Sequence, residues 1–108
     1  MADTGHDTES RTQVVVLGAG TMGAGIAQCL ADHGRDVTLT DVDPQALQRA
    51  LERIATSRLR LEHAGLQTAA ASLEGDQRLN TSTDLARSLA GADLVIEVPR
   101  GQEAHLYL

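Results

Sequence analysis

A glycine-rich segment near the start of the chain has the composition of a phosphate-binding loop. Residues 14–28 run VVVLGAGTMGAGIAQ, and Gly18, Gly20 and Gly23 form a G-x-G-x-x-G pattern in it. Glycines with this spacing permit a tight turn, let the backbone approach a pyrophosphate, and allow a helix to pack closely on a strand. The free N–H groups and the positive end of a helix that begins here would bind phosphate oxygens. The predicted loop consists of Gly18, Ala19, Gly20, Thr21, Met22 and Gly23.

A carboxylate follows this loop at a distance that suits a nucleotide site. Asp41 lies 23 positions after Gly18, at the end of the next predicted strand. It is able to accept two hydrogen bonds from an adenosine ribose and would repel a 2′-phosphate, and no arginine follows in the strand-end loop to compensate. The sequence therefore predicts a dinucleotide site that favours NAD over NADP. Two simpler interpretations stay open: a glycine loop that binds no dinucleotide, and Asp41 as an ordinary strand-end turn residue.

The elements that must position these residues alternate between strands and helices. Strands are predicted over 13–17, 36–40, 78–81 and 93–98. Helices are predicted from Met22 to a stop at Gly34, from Pro44 to about His63 behind an Asp43 cap, over 68–73, and over 84–90 behind a Thr83 cap. Such alternation implies right-handed crossovers, so we predict an α/β fold with a Rossmann-type parallel sheet and helices on both faces.

Apolar spacing predicts which helix faces are buried. In the first helix the predicted apolar positions are Met22, Ile26, Cys29 and Leu30, and in the long helix they are Leu47, Leu51, Ile54 and Leu61, with Arg and Glu covering the remainder. Cys29 is assigned to packing, because no histidine pairs with it within sequence reach. His33 and His63 fall at helix ends, where an imidazole interacts with the helix dipole.

The composition excludes several classes of function. The 108 residues contain no Phe and no Trp, and the single aromatic residue is Tyr107, so the core must be aliphatic and base stacking on aromatic side chains is absent. All nine basic residues are Arg, and the formal net charge is −6, which argues against nucleic acid as a partner. The absence of Lys excludes a Schiff-base mechanism and a P-loop lysine.

The cysteine content and the N-terminal residues bear on the compartment. Cys29 is the only cysteine, which excludes an internal disulfide and fits a reducing environment. Residues 1–12 are polar and contain no apolar region of the kind found in a signal peptide or a membrane span. We therefore expect a flexible N-terminal arm over 1–12, a cytoplasmic protein and no membrane partner.

Three segments together resemble a known family. The stretches GAGTMGAGIAQ, TDVDPQALQRAL and TSTDLARSLAGADLVIEVP look like the NAD-binding domain of the 3-hydroxyacyl-CoA dehydrogenases, which include the 3-hydroxybutyryl-CoA dehydrogenases. The resemblance covers residues 13–99 and implies an NAD-binding Rossmann domain there, with the pyrophosphate at Gly18 to Gly23 and the ribose at Asp41. It also implies a CoA contact at Ser57, an acyl-CoA substrate, and reversible hydride transfer between its 3-hydroxyl carbon and the nicotinamide.

The sequence departs from the family pattern after the fourth predicted strand. The family pattern there is similar to V-I-E-A-V-P-E with a lysine soon after, whereas this chain has VIEVPR followed by GQEAHLYL. Residues 100–108 are therefore predicted to be a divergent tail, and the sheet to stop after about the fourth strand. No residue matches the family's catalytic serine, histidine, glutamate or asparagine, and His105 does not stand in for that histidine. We expect the chain to bind NADH without turnover.

Three hypotheses follow from these departures. The chain is the front half of a dehydrogenase; or it is a catalytically inactive NAD-binding or interaction module; or its last residues result from a reading-frame change near Val98. The second hypothesis predicts a bare apolar sheet edge at Leu94 to Val98, through which copies of the chain pair as a homo-oligomer.

Overall fold

Strands and helices alternate along the chain as far as the fourth strand. The computed structural model describes residues 12–99 and 105–107. The predicted N-terminal arm lies almost wholly outside these residues, as does most of the predicted tail. The strands are β1 (Gln13–Leu17), β2 (Asp36–Thr40), β3 (Leu79–Ser82), β4 (Leu94–Glu97) and β5 (His105–Tyr107). The helices are α1 (Thr21–Asp32), α2 (Pro44–His63), α3 (Ala69–Arg78) and α4 (Leu85–Ala90).

The five strands form one sheet in the order β3-β2-β1-β4-β5. The first four strands are parallel, and Val15 of β1 pairs with Thr38 of β2 on one side and with Val95 of β4 on the other. Because crossovers between parallel strands are right-handed, the outward connections to β2 and β3 place α1, α2 and α3 on one face. The returning connection places α4 on the opposite face, where Thr40 Oγ1 donates a 3.0 Å hydrogen bond to Ser88 Oγ. The Rossmann-type α/β prediction is confirmed.

The outer edge of β4 is covered, contrary to the sequence prediction of a bare edge. Strand β5 pairs with it in antiparallel fashion, with Glu97 opposite His105 and Val95 opposite Tyr107. The sheet is therefore mixed, with a fifth strand that sequence reasoning did not predict. The prediction of a bare edge over Leu94 to Val98 is wrong at Val95 to Glu97, because these residues pair with β5.

Capping residues set the bounds of the helices. The Asp43 side chain accepts a hydrogen bond from Gln45 N–H at the start of α2, as predicted. Helix α4 begins one residue later than predicted, because Asp84 and not Thr83 caps it by accepting from Arg87 N–H at 3.0 Å. Helix α3 is longer than the predicted 68–73, and it begins where Thr68 Oγ1 accepts from Ala71 N–H.

The core is aliphatic and lies between the sheet and α1. Val14, Val15 and Val16 are all buried, which confirms that β1 is covered on both faces. The buried face of α1 consists of small residues: Gly23, Ala24, Ala27 and Ala31. The predicted face was wrong in two places, since Met22 is 51% exposed and Cys29 is also exposed. Small side chains allow α1 to lie close to the sheet, so the helix buries the face that carries them and leaves larger apolar side chains such as that of Met22 exposed.

A buried ionic cluster joins α1, α2 and α3. Arg58 of α2 was assigned to the solvent face, yet its side chain is only 7% exposed. Its Nη2 lies 2.7 Å from Asp32 Oδ1, and its Nη1 lies 3.1 Å from Asp76 Oδ1. A Cβ at Gly75 would collide with the Asp32 carboxylate, so α3 approaches closely at this point. The cluster fixes the α2–α3 hairpin against α1.

Candidate nucleotide site

The turn between β1 and α1 requires glycine at two positions. Gly18 has a φ of +108°, and a Cβ there would lie 2.5 Å from the carbonyl oxygen of Val98. A Cβ at Gly23 would collide with the carbonyl oxygen of Gly18. The Gly18 N–H donates a 2.8 Å hydrogen bond to Thr40 O, which ties the turn to the end of β2. These contacts explain the spacing of the first and third motif glycines.

Gly20 occupies a different environment, at the N-terminus of α1. It is the N-cap residue, no side chain caps the helix, and no acidic residue lies in its first turn. A Cβ at Gly20 would meet nothing within 4 Å. The first N–H groups of a helix have no acceptor inside the helix, so those of Thr21, Met22 and Gly23 are available to an anion. The positive end of the helix dipole strengthens this preference.

The Asp41 carboxylate lies next to this helix end and is held by two backbone amides. Its Oδ2 accepts a 2.9 Å hydrogen bond from Ala19 N–H, and its Oδ1 accepts one of 2.9 Å from Asp43 N–H. A carboxylate oxygen has more than one acceptor site, so each oxygen is able to accept a further bond from a ligand hydroxyl. The two amides fix the direction in which the carboxylate faces.

A single cavity of about 690 Å³ contains all the residues predicted to bind a dinucleotide. It opens at the carboxyl ends of β1 and β2, where the connections from β1 and β4 diverge, which is the usual ligand position in open α/β sheets. The lining residues are Gly18, Ala19, Gly20, Thr21, Met22, Gly23, Asp41, Ala46, Arg49, Arg53, Val98 and Pro99. The glycine backbone, the uncapped helix end and the carboxylate together suit a dinucleotide.

Five of these lining residues were missed from the sequence. Ala46, Arg49 and Arg53 belong to α2, and Val98 and Pro99 follow β4. The α2 residues follow the helical spacing of three and four, but Ala46 belongs to the buried stripe and both arginines flank it, so their direction depends on how α2 packs. The prediction that no arginine compensates Asp41 considered only the strand-end loop.

Other residues singled out from the sequence lie away from the cavity. Ser57 is half-buried on α2, and its Oγ accepts a 3.1 Å hydrogen bond from Gln28 Nε2 of α1. His33 lies close to Cys29, contrary to the expectation of no histidine within reach: its Nδ1 is 3.9 Å from the Cys29 Sγ and 2.7 Å from the Cys29 carbonyl oxygen. The shorter contact caps the end of α1, as predicted for His33, and His63 lies exposed in the last turn of α2.

A small polar cluster joins β4 and β5. The Tyr107 hydroxyl donates a 3.0 Å hydrogen bond to Glu97 Oε1, and His105 Nδ1 lies 3.8 Å from the same oxygen. The hydrogen bond to Glu97 and the negative charge of its carboxylate raise the pKa of Tyr107 above its ordinary value. The pKa of Tyr107 is therefore an observable measure of the pairing of β5 with β4.

Two further properties concern the described residues only. Over 12–99 and 105–107, no group of three or more His, Cys, Asp or Glu side chains is placed to hold a metal ion. No helix in the same ranges is long and apolar enough to cross a membrane.

A glycine turn between β1 and α1, with a carboxylate at the end of β2, defines a Rossmann dinucleotide-binding domain. The sequence model described as "3-hydroxyacyl-CoA dehydrogenase, NAD binding domain" matches residues 13–100, and the chain belongs to this family. The family resemblance and the NAD cofactor class expected from the sequence are thereby confirmed.

Curated relatives and solved structures agree with this assignment. The chain is 44% identical over 84 residues to 3-hydroxyadipyl-CoA dehydrogenase of Escherichia coli K12, a match of 78% of this chain and 18% of that protein. It is 38% identical over 85 residues to a probable 3-hydroxybutyryl-CoA dehydrogenase of Bacillus subtilis, covering 79% of this chain and 29% of that protein. The crystal structure of (S)-3-hydroxybutyryl-CoA dehydrogenase from Ralstonia eutropha matches with a TM-score of 0.79 and 34% identity, covering 87% of this chain and 33% of the other. The chain thus spans less than a third of the curated relatives it matches.

Proposed function

We propose that the chain is the NAD-binding portion of an oxidoreductase that transfers hydride between the 3-hydroxyl carbon of an acyl-CoA and NAD. The observation that supports this best is the single cavity in which the uncapped N-terminus of α1 lies beside the Asp41 carboxylate. One end of this cavity suits a diphosphate and the other suits the hydroxyls of a ribose. The names of the relatives supply the substrate class in this proposal.

Each predicted site residue has a role in the proposal. The backbone of Gly18, Ala19 and Gly20 forms the turn that leaves the helix end open, and the amides of Thr21, Met22 and Gly23 bind the diphosphate. Asp41 accepts hydrogen bonds from the adenosine ribose and disfavours a 2′-phosphate. NAD, when bound, supplies the hydride acceptor or donor at its nicotinamide ring.

The chain alone is proposed to bind NADH without catalysing the reaction. Proton transfer to or from the 3-hydroxyl needs a positioned acid or base, and histidine is the commonest one. None of the described residues that line the cavity is a histidine. In the described part of the chain, His105 and Glu97 approach within 3.8 Å, but neither lines this cavity.

Ser57 remains a proposed contact for CoA. Its hydroxyl accepts a hydrogen bond from Gln28, and it still carries a proton to donate to a phosphate or carbonyl oxygen of a ligand. Titration of the chain with free CoA tests this: Ser57→Ala should weaken binding, whereas Thr56→Ala on the exposed side of α2 should not. Equal CoA affinity in both variants would remove Ser57 from the site.

The cellular compartment and the oligomeric state are two further parts of the proposal. The lone Cys29 supports a cytoplasmic location. A homo-oligomer that forms at the β4 side of the sheet would pair through β5, since β5 covers β4. Sedimentation at several protein concentrations distinguishes a monomer from such an assembly.

The alternative of an inactive NAD-binding or interaction module lacks its main support, because the bare β4 edge that favoured it is covered.

Two measurements test the proposed function. The melting temperature of the chain should rise with NADH concentration, because a ligand that binds only the folded state stabilises it, by about 2.7 kcal/mol at a hundred times the dissociation constant. Acetoacetyl-CoA with NADH should give no turnover with the chain alone. A melting temperature that does not respond to NADH would overturn the cofactor assignment, and turnover would overturn the assignment as a binding portion only.

A further inference from the structure

Two arginines on one face of α2 line the same cavity as the glycine loop. Ala46, Arg49 and Arg53 are separated by three and four residues and share this face. The residues that follow Ala46 and Arg49, which are Leu47 and Ala50, are buried in the core. Arg49 and Arg53 flank this buried stripe, which includes Ala46, and both line the cavity.

Neither arginine is committed to a strong partner among the described residues. Arg49 Nη2 lies 3.9 Å from Asp43 Oδ2, and both side chains are about half exposed, at 54% and 49%. Arg53 forms no hydrogen bond or ion pair with another residue in the described ranges. A long, half-exposed ion pair contributes little to stability, so neither guanidinium is held in place by the fold. Arg58, five positions beyond Arg53 on α2, shows the contrast, because its guanidinium is buried against two carboxylates.

The charge of the cavity wall matters because the chain as a whole is acidic. The formal net charge is −6, and Asp41 and Asp43 both lie at the ribose end of the site. A dinucleotide carries two phosphate charges into this environment. The amides at the start of α1 bind one side of the diphosphate, but they carry only partial charges. Full positive charges on the facing wall would balance the ligand.

We propose that Arg49 and Arg53 bind the diphosphate of the dinucleotide from the α2 side of the cavity. The planar guanidinium forms paired hydrogen bonds with phosphate oxygens, which an ammonium or a backbone amide does not match. This inference rests on the proposed function, since it assigns two further residues to the same site. It adds a charged clamp, formed by Arg49 and Arg53, to the neutral glycine loop.

The test is a calorimetric titration of the 108-residue chain with NADH, NADPH and ADP-ribose, which gives the dissociation constant of each ligand. The variants are Arg49→Ala, Arg53→Ala and the double variant. The control is Arg60→Ala, because Arg60 is exposed on the same helix but lies at a separate concavity near His63. Each single variant should weaken all three ligands by roughly three- to tenfold, as expected for loss of one charge-assisted hydrogen bond at an exposed site. The Arg60 variant should match the wild-type chain within about twofold.

Salt dependence supplies a second readout that a merely structural role would not change. Between roughly 0.02 M and 0.3 M NaCl, the affinity of the wild-type chain for NADH should fall more steeply than that of the double variant, since screening weakens exposed charge pairs. Arg53→Lys should restore part of the affinity, because it restores the charge without the planar fork.

The outcomes separate this inference from the proposed function. If the wild-type chain binds none of the three ligands, the proposed function fails. If it binds NADH and both alanine variants bind equally well, the arginine assignment alone is overturned. A loss confined to NADPH would also overturn it, since the arginines would then contact the 2′-phosphate and not the diphosphate.

Discussion

The Asp41 carboxylate holds the glycine loop through Ala19: its Oδ2 accepts a 2.9 Å hydrogen bond from the Ala19 N–H. The residue proposed to bind the ribose therefore also sets the conformation of the loop proposed to bind the diphosphate. The two halves of the site form one unit, because a change at Asp41 alters both.

The first prediction concerns this link. Asp41→Asn leaves one side-chain oxygen for two backbone donors and removes the negative charge. We expect NADH affinity to fall by roughly tenfold, as for loss of a hydrogen bond to a charged group, and selectivity against NADPH to decrease. Titration of both cofactors by NADH and NADPH fluorescence measures this, with Glu74→Gln on the exposed side of α3 as a control of equal charge change. Unchanged affinity and unchanged selectivity in Asp41→Asn would contradict the assigned role.

The second prediction compares two glycines of α1. Gly23→Ala forces a methyl group against the Gly18 carbonyl, so we expect a loss of about 1–3 kcal/mol in the free energy of unfolding. Gly25→Ala adds a methyl group in open space on an exposed helical position and should stabilise the chain by up to about 1 kcal/mol. Urea denaturation followed by circular dichroism measures both. If the two variants prove equally stable, the close packing inferred at Gly23 is wrong.

The third prediction concerns the buried cluster around Arg58. Arg58→Met leaves the Asp32 carboxylate buried without its partner, which should cost about 3–5 kcal/mol. The double variant Arg58→Met with Asp32→Leu should recover much of this loss, since replacing both members of a buried pair with apolar residues is often neutral. Arg60→Met is the control on the exposed face. Chemical denaturation that shows no difference between Arg58→Met and Arg60→Met would exclude a stabilising role for the cluster.

Much of the fold was predictable because its signals are local. The β-branched run from Val14 to Val16 and the Asp43–Pro44 helix start each depend on neighbouring residues, and both predictions are confirmed. Strand β5 was not predicted, since a three-residue strand takes its conformation from the edge it pairs with and not from its own composition. The burial of Arg58 was missed for the same reason: its two carboxylate partners, Asp32 and Asp76, lie 26 and 18 positions away.

The candidate site was likewise predictable only where its sequence signals are local. The glycine loop and Asp41 follow a motif with fixed spacing, and the structure places them in one cavity, while their binding of NAD stays a prediction. Arg49 and Arg53 lie in the long helix, and their direction depends on which face of α2 packs against α1. That choice is made by tertiary packing, in which the buried stripe includes Ala46 and Ala50 as well as larger residues.

The fourth prediction is a pH titration of β5. Tyr107 is the only tyrosine, so the near-ultraviolet absorbance of tyrosinate measures the ionisation of this residue alone. The hydrogen bond to Glu97 and its charge raise the pKa of Tyr107, so the midpoint should lie above the ordinary value of about 10. The contact between Tyr107 and Glu97 therefore stabilises the pairing of β5 with β4 below about pH 10, and this stabilisation is lost as the pH rises through the raised pKa of Tyr107. Glu97→Ala should return the midpoint to the ordinary value, whereas Glu74→Ala on the exposed side of α3 should leave it raised. A wild-type midpoint at the ordinary value would contradict the pairing of Tyr107 with Glu97.

The open N-terminus of α1 is proposed to bind the dinucleotide, and substitution of Gly20 tests this proposal. A Cβ at Gly20 meets no atom of the described residues within 4 Å, so Gly20→Ala should fold normally while placing a methyl group where the diphosphate is proposed to lie. The measurement is the dissociation constant for NADH of the wild-type chain, Gly20→Ala and the matched variant Gly25→Ala. We expect saturable binding by the wild-type chain, a loss of roughly tenfold or more in Gly20→Ala, and wild-type affinity in Gly25→Ala. Equal NADH affinity in Gly20→Ala and Gly25→Ala, or no binding by the wild-type chain, would contradict it.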